Sequence, residues 1–224
     1  MRRLSIILLI LLGMVVPVFA QQTTVNRIDV FTGFSYLSTP SINLNQRGFN
    51  GSFGVNVNRW LGLGADFGAL TGTTNIVVRK TKVPGLLPPA IVPLANNIGV
   101  PADATTYTFA AGPQINYRHF QKITLFARPG LGVFHHIADL NLAPLAPLLR
   151  IGVTIPGLTS HMTDTVPFYG VGGGFDAEVS KHFGFRFSAD LVHANPFDNV
   201  LKPQNELRLS IGPRFKFGQI NSVK

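Results

Sequence analysis

Residues 183–191 read FGFRFSADL. Phe183, Phe185, Phe187, Ala189 and Leu191 fall on one face; Gly184, Arg186, Ser188 and Asp190 fall on the other. Successive side chains of a strand point to opposite sides, so this period of two predicts a β-strand with one apolar and one polar face. The same period recurs at 28–37, 48–58, 61–70, 106–118, 123–133, 169–179 and 207–217. In the last of these, Leu207, Leu209, Ile211, Phe215 and Phe217 oppose Arg208, Ser210, Gly212, Arg214 and Lys216. No segment after Gln21 sustains a helical 3.6-residue period.

The pattern predicts eight strands of about 10–13 residues, long for a soluble strand and sufficient for a tilted crossing of a membrane. Tight turns are expected near 58–61, 119–122 and 180–183, and longer connections at 38–47, 71–104, 137–166 and 194–204. Short connections alternating with long ones are the mark of an up-and-down transmembrane barrel, and an even strand count brings both chain ends to the periplasmic side. The expected fold is therefore all-β: an eight-stranded antiparallel up-and-down transmembrane β-barrel. A soluble lipocalin-like barrel has the same alternation with the faces exchanged. Two features favour the membrane. Gly62, Gly64, Gly68, Gly170, Gly172 and Gly174 crowd the less apolar face, where small residues relieve crowding in a narrow bore. Tyr36, Phe49, Tyr107, Tyr117, Tyr169, Phe183, Phe215 and Phe217 lie toward strand ends, as interfacial girdles do. Pro113, Pro129 and Pro213 interrupt strands and predict local bulges.

Composition agrees. Only 13% of the 224 residues are charged, about half the usual ~25%. Zero Cys excludes a disulfide scaffold, an iron–sulfur protein and a thiolate zinc site. The opening MRRLSIILLILLGMVVPVFA has a basic start, a short apolar run and Pro17 before Ala20. It reads as a signal peptide over 1–20 cleaved near Ala20–Gln21, leaving a barrel domain over 21–217 and a short tail over 218–224. Loss of Arg2 and Arg3 would leave 17 bases against 10 acids.

On the polar face sit Asp29, Asp66, Asp176, Glu178, Asp190 and Glu206 together with Arg118, Arg128, Arg186, Arg208, Arg214 and Lys216. Buried charges persist when paired, so this balanced set predicts an ion-pair network filling the lumen. The turn after Ser180 is expected to set Glu178 opposite Arg186. A gated pore is the competing reading; eight strands leave room for side chains rather than a wide channel.

Outside the strands, 83–101 and 140–158 are apolar and Pro-rich, unusual for external loops. They are expected to pack on each other over the mouth or to meet a partner. Basic residues at 79–82 form a solvated cluster that could meet lipopolysaccharide phosphates. Catalytic machinery is not expected. Asn195 stands where a His–x–Ser arrangement after His193 would need its nucleophile. His135 and His136 are adjacent on a strand, so they point apart and share no metal. Gly170–Gly174 lies in a strand without a following helix, so it is no dinucleotide fingerprint.

Strands such as Phe31–Tyr36, Ala111–Tyr117 and Leu209–Phe217, behind a signal peptide, resemble the small outer-membrane β-barrel proteins of the OmpA/OmpX type, which carry an outer membrane protein beta-barrel domain. The resemblance covers residues 27–217. It implies a structural or surface-interacting monomer in the outer membrane of a Gram-negative-type bacterium, without cofactors, metal or nucleic acid. Its partners would be outer-membrane lipid and lipopolysaccharide, the barrel assembly machinery during biogenesis, and a surface partner met through loops 71–104 and 137–166. A narrow channel is the alternative, and a lipid A-modifying enzyme the third reading. The assembly machinery reads a terminal aromatic; Phe217 would serve, although Gly218–Lys224 follow it.

Overall fold

The computed structural model describes residues 25–150, 152, 155 and 158–220, so the expected signal peptide and the end of the tail lie outside the described residues. Eight strands form: β1 (Ile28–Thr39), β2 (Leu44–Asn56), β3 (Leu61–Val77), β4 (Gly99–Tyr117), β5 (Ile123–Leu140), β6 (His161–Glu178), β7 (Phe183–Ala194) and β8 (Gln204–Phe217). Each pairs antiparallel with the next, and β8 returns to β1 to close the barrel. A bridge between Val25 and Ile220 brings the two described ends together.

The faces settle which solvent surrounds the wall. Phe49, Leu131 and Leu191 point outward and are 73%, 71% and 60% exposed, while Asp29, Asp176 and Arg214 point inward and are buried. A soluble barrel needs the opposite arrangement, so the apolar exterior is a lipid-facing surface. Side chains at the short-turn end are capped locally. Asn58 Oδ1 accepts from the Trp60 and Leu61 amides at 2.9 and 2.8 Å, and Ser180 Oγ accepts from Phe183 N at 3.1 Å. Such side-chain-to-backbone bonds are the reason Asn and Ser occupy turns.

The strands run well past their expected outer ends. β3 to β6 have 17, 19, 18 and 18 residues, about twice what a crossing needs. Residues 71–77, 99–104, 137–140 and 161–166, expected in loops, are strand, and the first long connection shrinks to residues 40–43. The reason is an inversion of polarity. Below the level of Tyr107 and His135 the wall is apolar outside and polar inside. Above it, Asp103, Asp139, Thr163 and Thr165 face out, and Val100, Ala102, Ala138 and Met162 face in. Alternation continues with its phase reversed, because the medium outside the wall changes from lipid to water.

The prolines do not create bulges. Pairing of β4 with β5 holds one register from Ala102–Leu140 through Ala111–Leu131 to Ile115–Ala127, with an unpaired stretch opposite Pro113 and Pro129. Pairing of β8 with β1 likewise lapses at Gly212 and Pro213 and resumes in register. Proline removes a donor on one side only. The adjacent glycine lets the neighbouring strand close in: a Cβ at Gly212 would strike the Thr32 carbonyl oxygen, and one at Gly112 the Pro129 carbonyl oxygen. A missing donor is thus absorbed without inserting a residue.

Arg in place of Leu131, at mid-height of the outward apolar band, should lower folding stability in phospholipid vesicles by about 2–4 kcal/mol. Asp103→Arg, outward on the water-facing extension, should change it by less than about 0.5 kcal/mol. Reversible urea unfolding of the two variants checks the height at which the wall leaves the lipid.

Candidate functional site

The inward side chains form layers. Nearest the short turns, the Asp176 carboxylate receives Arg186 bidentately, Nε to Oδ1 at 2.7 Å and Nη2 to Oδ2 at 2.9 Å. Arg214 joins three acids, at 2.7 Å from Asp29, 3.1 Å from Asp176 and 2.9 Å from Glu178. Lys216 completes the layer on Glu178. The guanidinium of Arg186 also stacks 4.5 Å from the centroid of the Phe126 ring. β1, β6, β7 and β8 all contribute, so the layer ties the closing seam of the barrel.

Above it two arginines and two aspartates form a square. Arg128 donates bidentately to Asp190 at 3.0 and 2.9 Å and to Asp66 at 2.9 Å. Arg208 donates to Asp66 at 2.9 Å and to Asp190 at 3.2 Å. These residues come from β3, β5, β7 and β8, so the square crosses the bore. Planar guanidinium forks match carboxylates in this way, whereas Lys would offer a point charge. Gly172 lies against the square, where a Cβ would collide with the Asp190 carboxylate.

Ten of the twelve predicted lumen residues thus meet as five acids and five bases: Asp29, Asp66, Asp176, Glu178 and Asp190 with Arg128, Arg186, Arg208, Arg214 and Lys216. The pairing of Glu178 with Arg186 is not found. The hairpin register sets Asp176 opposite Arg186 and Glu178 opposite Gly184, because the connection closes with Val179 N bonded to Phe183 O, which centres the turn one residue earlier than expected. Two residues stand apart from the network. Arg118 is buried at the short-turn end on Asn56 Oδ1 and the Arg59 carbonyl, and Glu206 is buried at the other end. Neither has an opposite charge within 4 Å among the described residues.

The third layer is apolar. Phe134 and Phe168 stack with centroids 4.1 Å apart, packed with Ala110, Val192 and Ala194. The strand assignments above stop short of these residues. Extending the alternation past Gly132 and before Gly170 would have placed both rings inside. Over this layer the mouth is roofed by the three longer outer connections. Val78, Val83, Leu87 and Ala95 pack with Leu145, Leu148 and Ile155 and with Val200 and Leu201 in one buried cluster. Lys82 links two of these connections, with its amide donating to Val200 O and its ammonium 2.7 Å from Asp198 Oδ1. The hydrogen bonds from Lys82 and Asn195 hold the Asp198 carboxyl below the usual carboxylate range. That contact is therefore present at neutral pH and is lost only as pH falls through the lowered value.

Histidines mark the outer boundary of the lipid band. His135 bonds Thr165 and stacks on Tyr107 at 6.4 Å; His193 bonds Asn205 at 2.7 Å and tilts against Tyr169 at 5.2 Å. Amphipathic rings of this kind suit a headgroup level. His136 points the other way, into the mouth, as strand geometry requires.

A family described as "Outer membrane protein beta-barrel domain" matches residues 6–215. No curated protein sequence matches significantly. Among solved structures, the outer membrane protein OprG of Pseudomonas aeruginosa is similar with a TM-score of 0.56 at 12% identity, over 88% of this chain and 99% of that one. Neisserial surface protein A (NspA) is similar with a TM-score of 0.53 at 14% identity, over 85% and 96%. Both likenesses are of fold. With an apolar exterior, a charged bore and a match across nearly the whole sequence, the chain belongs to the outer membrane protein beta-barrel domain family.

Proposed function

We propose that the protein is a closed, monomeric surface barrel: a structural or surface-interacting protein rather than a channel or an enzyme. The observation carrying this reading is the Asp66–Arg128–Asp190–Arg208 square, which joins opposite walls of the bore and rests on a second ion-pair layer. Eight strands enclose too little space for such a network to stand aside without breaking. The roof supports the same reading, since Leu145 and Leu148 are each only 1% exposed within it.

In this reading the barrel reaches the outer membrane with residues 1–20 removed, is inserted by the barrel assembly machinery, and contacts lipid and lipopolysaccharide along its wall. Surface contacts are made by the roof, where Leu86, Leu94 and Leu149 remain exposed. His193 is engaged by Asn205 and Tyr169, an interfacial arrangement rather than a nucleophile–base pair.

In planar bilayers the purified protein should give no steady conductance. A stable single-channel current would replace this reading with that of a narrow channel. The network itself is tested by coupling. Arg186→Leu leaves Asp176, 0% exposed, without its bidentate partner, and should cost about 3–5 kcal/mol. Adding Asp176→Asn should recover part of that cost, whereas additive costs in urea unfolding would show that the two residues are not coupled.

A further inference from the structure

The bore and the roof do not meet flush. Between them lies an apolar-walled cavity lined by Ile42, Leu44, Ile76, Met162, Phe197 and Leu201 on its sides. Its polar lining includes Glu206 and His136, which are 3% and 8% exposed. In each, one atom has no hydrogen-bond partner: Glu206 Oε2 and His136 Nε2. Buried polar atoms are almost always satisfied, so two unpartnered atoms lining one cavity, from β5 and β8, mark a place able to accept hydrogen bonds from a ligand.

The local bonds fix what that group must offer. Gln46 Nε2 donates to the Ala104 carbonyl at 3.1 Å, which turns Gln46 Oε1 toward Thr106. The Thr106 hydroxyl donates its one hydrogen to that oxygen at 3.0 Å. Thr106 Oγ can then only accept from His136 Nδ1, 3.0 Å away, so the proton of the neutral ring sits on Nδ1. This assigns the orphaned Nε2 as an acceptor. Glu206 receives a hydrogen bond from Thr39, and its second oxygen is also an acceptor when the group is ionised. Among the described residues it has no base within 4 Å. A buried carboxylate in an apolar cavity with no cation is costly on its own. The cavity therefore suits hydrogen donors, a positive charge beside Glu206, and an apolar body against the aliphatic walls.

Phe197 is held over this space in an uncommon way. Its φ is 49°, left-handed and unfavourable for a bulky residue. Its amide is tied to Asp164 Oδ2 at 2.6 Å, and its ring lies 6.0 Å from that of His136. Backbone held in such a region is commonly found at ligand clamps.

We propose that this cavity is a binding site for small primary amines with an apolar body, the ammonium on Glu206 and His136 and the body against the aliphatic walls under Phe197. The proposal is independent of whether the bore below conducts, because the Phe134–Phe168 layer separates the two.

The test uses Met162, which lines the cavity and is the only methionine outside residues 1–20. The full chain carrying 13C-methyl methionine, refolded in nanodiscs, is titrated with 2-phenylethylamine, 2-phenylethanol and 3-phenylpropanoate; Met162→Leu identifies the signal. The amine should shift the Met162 methyl resonance saturably and bind at least about tenfold more tightly than the alcohol, with no saturable shift from the carboxylate. Glu206→Gln, checked for heat-modifiable migration as a folded barrel, should abolish the preference for amine over alcohol. Equal binding of amine and alcohol, binding of the carboxylate, or no saturable shift with the amine would each overturn the proposal. The wild-type series decides the question even if Glu206→Gln fails to fold.

Discussion

A wall whose outer surface is lipid leaves the bore as the only place for charge. Every charged side chain within the membrane-crossing part of a strand must point inward, and eight strands make that interior narrow. Charges there cannot keep water shells of their own, so most of them find a partner of opposite sign and donors of matching geometry. The two ion-pair layers are the outcome. They use Arg almost throughout, because a planar fork can satisfy two carboxylates at once: Arg128 and Arg208 each hold both Asp66 and Asp190. The glycines around them follow from the same crowding, as the clash of any Gly172 side chain with Asp190 shows.

Where the wall rises out of the lipid, the constraint reverses. Water now bathes the outside, and the inside is closed by apolar connections instead of ions. The upper barrel is built like a small soluble protein, with Val100, Leu145, Leu148, Val200 and Leu201 in its core. Pro-rich connections suit this role: proline restricts the chain before it is packed, and the short helices at Val92–Ala95 and Ala146–Arg150 turn apolar residues down onto the mouth. The boundary between the two regimes carries the unpaired acceptors of Glu206 and His136, neither deep enough to join the ionic layers nor high enough to meet water.

Much of this was legible in the alternation of residues such as Phe183–Leu191, which needs no knowledge of the rest of the chain. It identified the eight strands, the inward charges and the short-turn end. Reading failed where a local pattern had more than one environment. Asp103 and Thr105 looked like loop because the expected outward face was apolar, although the period of two continued through them. The prolines suggested bulges because a lost donor is visible in sequence, while the close approach made possible at Gly212 and Gly112 is not. Glu178 was matched to Arg186 because charge and spacing allow it; the observed turn, centred one residue earlier, gave Arg186 to Asp176 instead.

The sequence by itself determined the strand period, and with it which residues share a face, because that depends only on backbone geometry over neighbouring residues. It did not determine which acid holds which base. Arg208 and Asp66 are 142 residues apart and belong to strands that are not neighbours in the sheet. They meet only because the sheet closes and points both side chains across the same bore. The isolation of Glu206 arose in the same way: one carboxylate among six by sequence, it became distinct only when closure placed it above the ionic layers and beneath the roof.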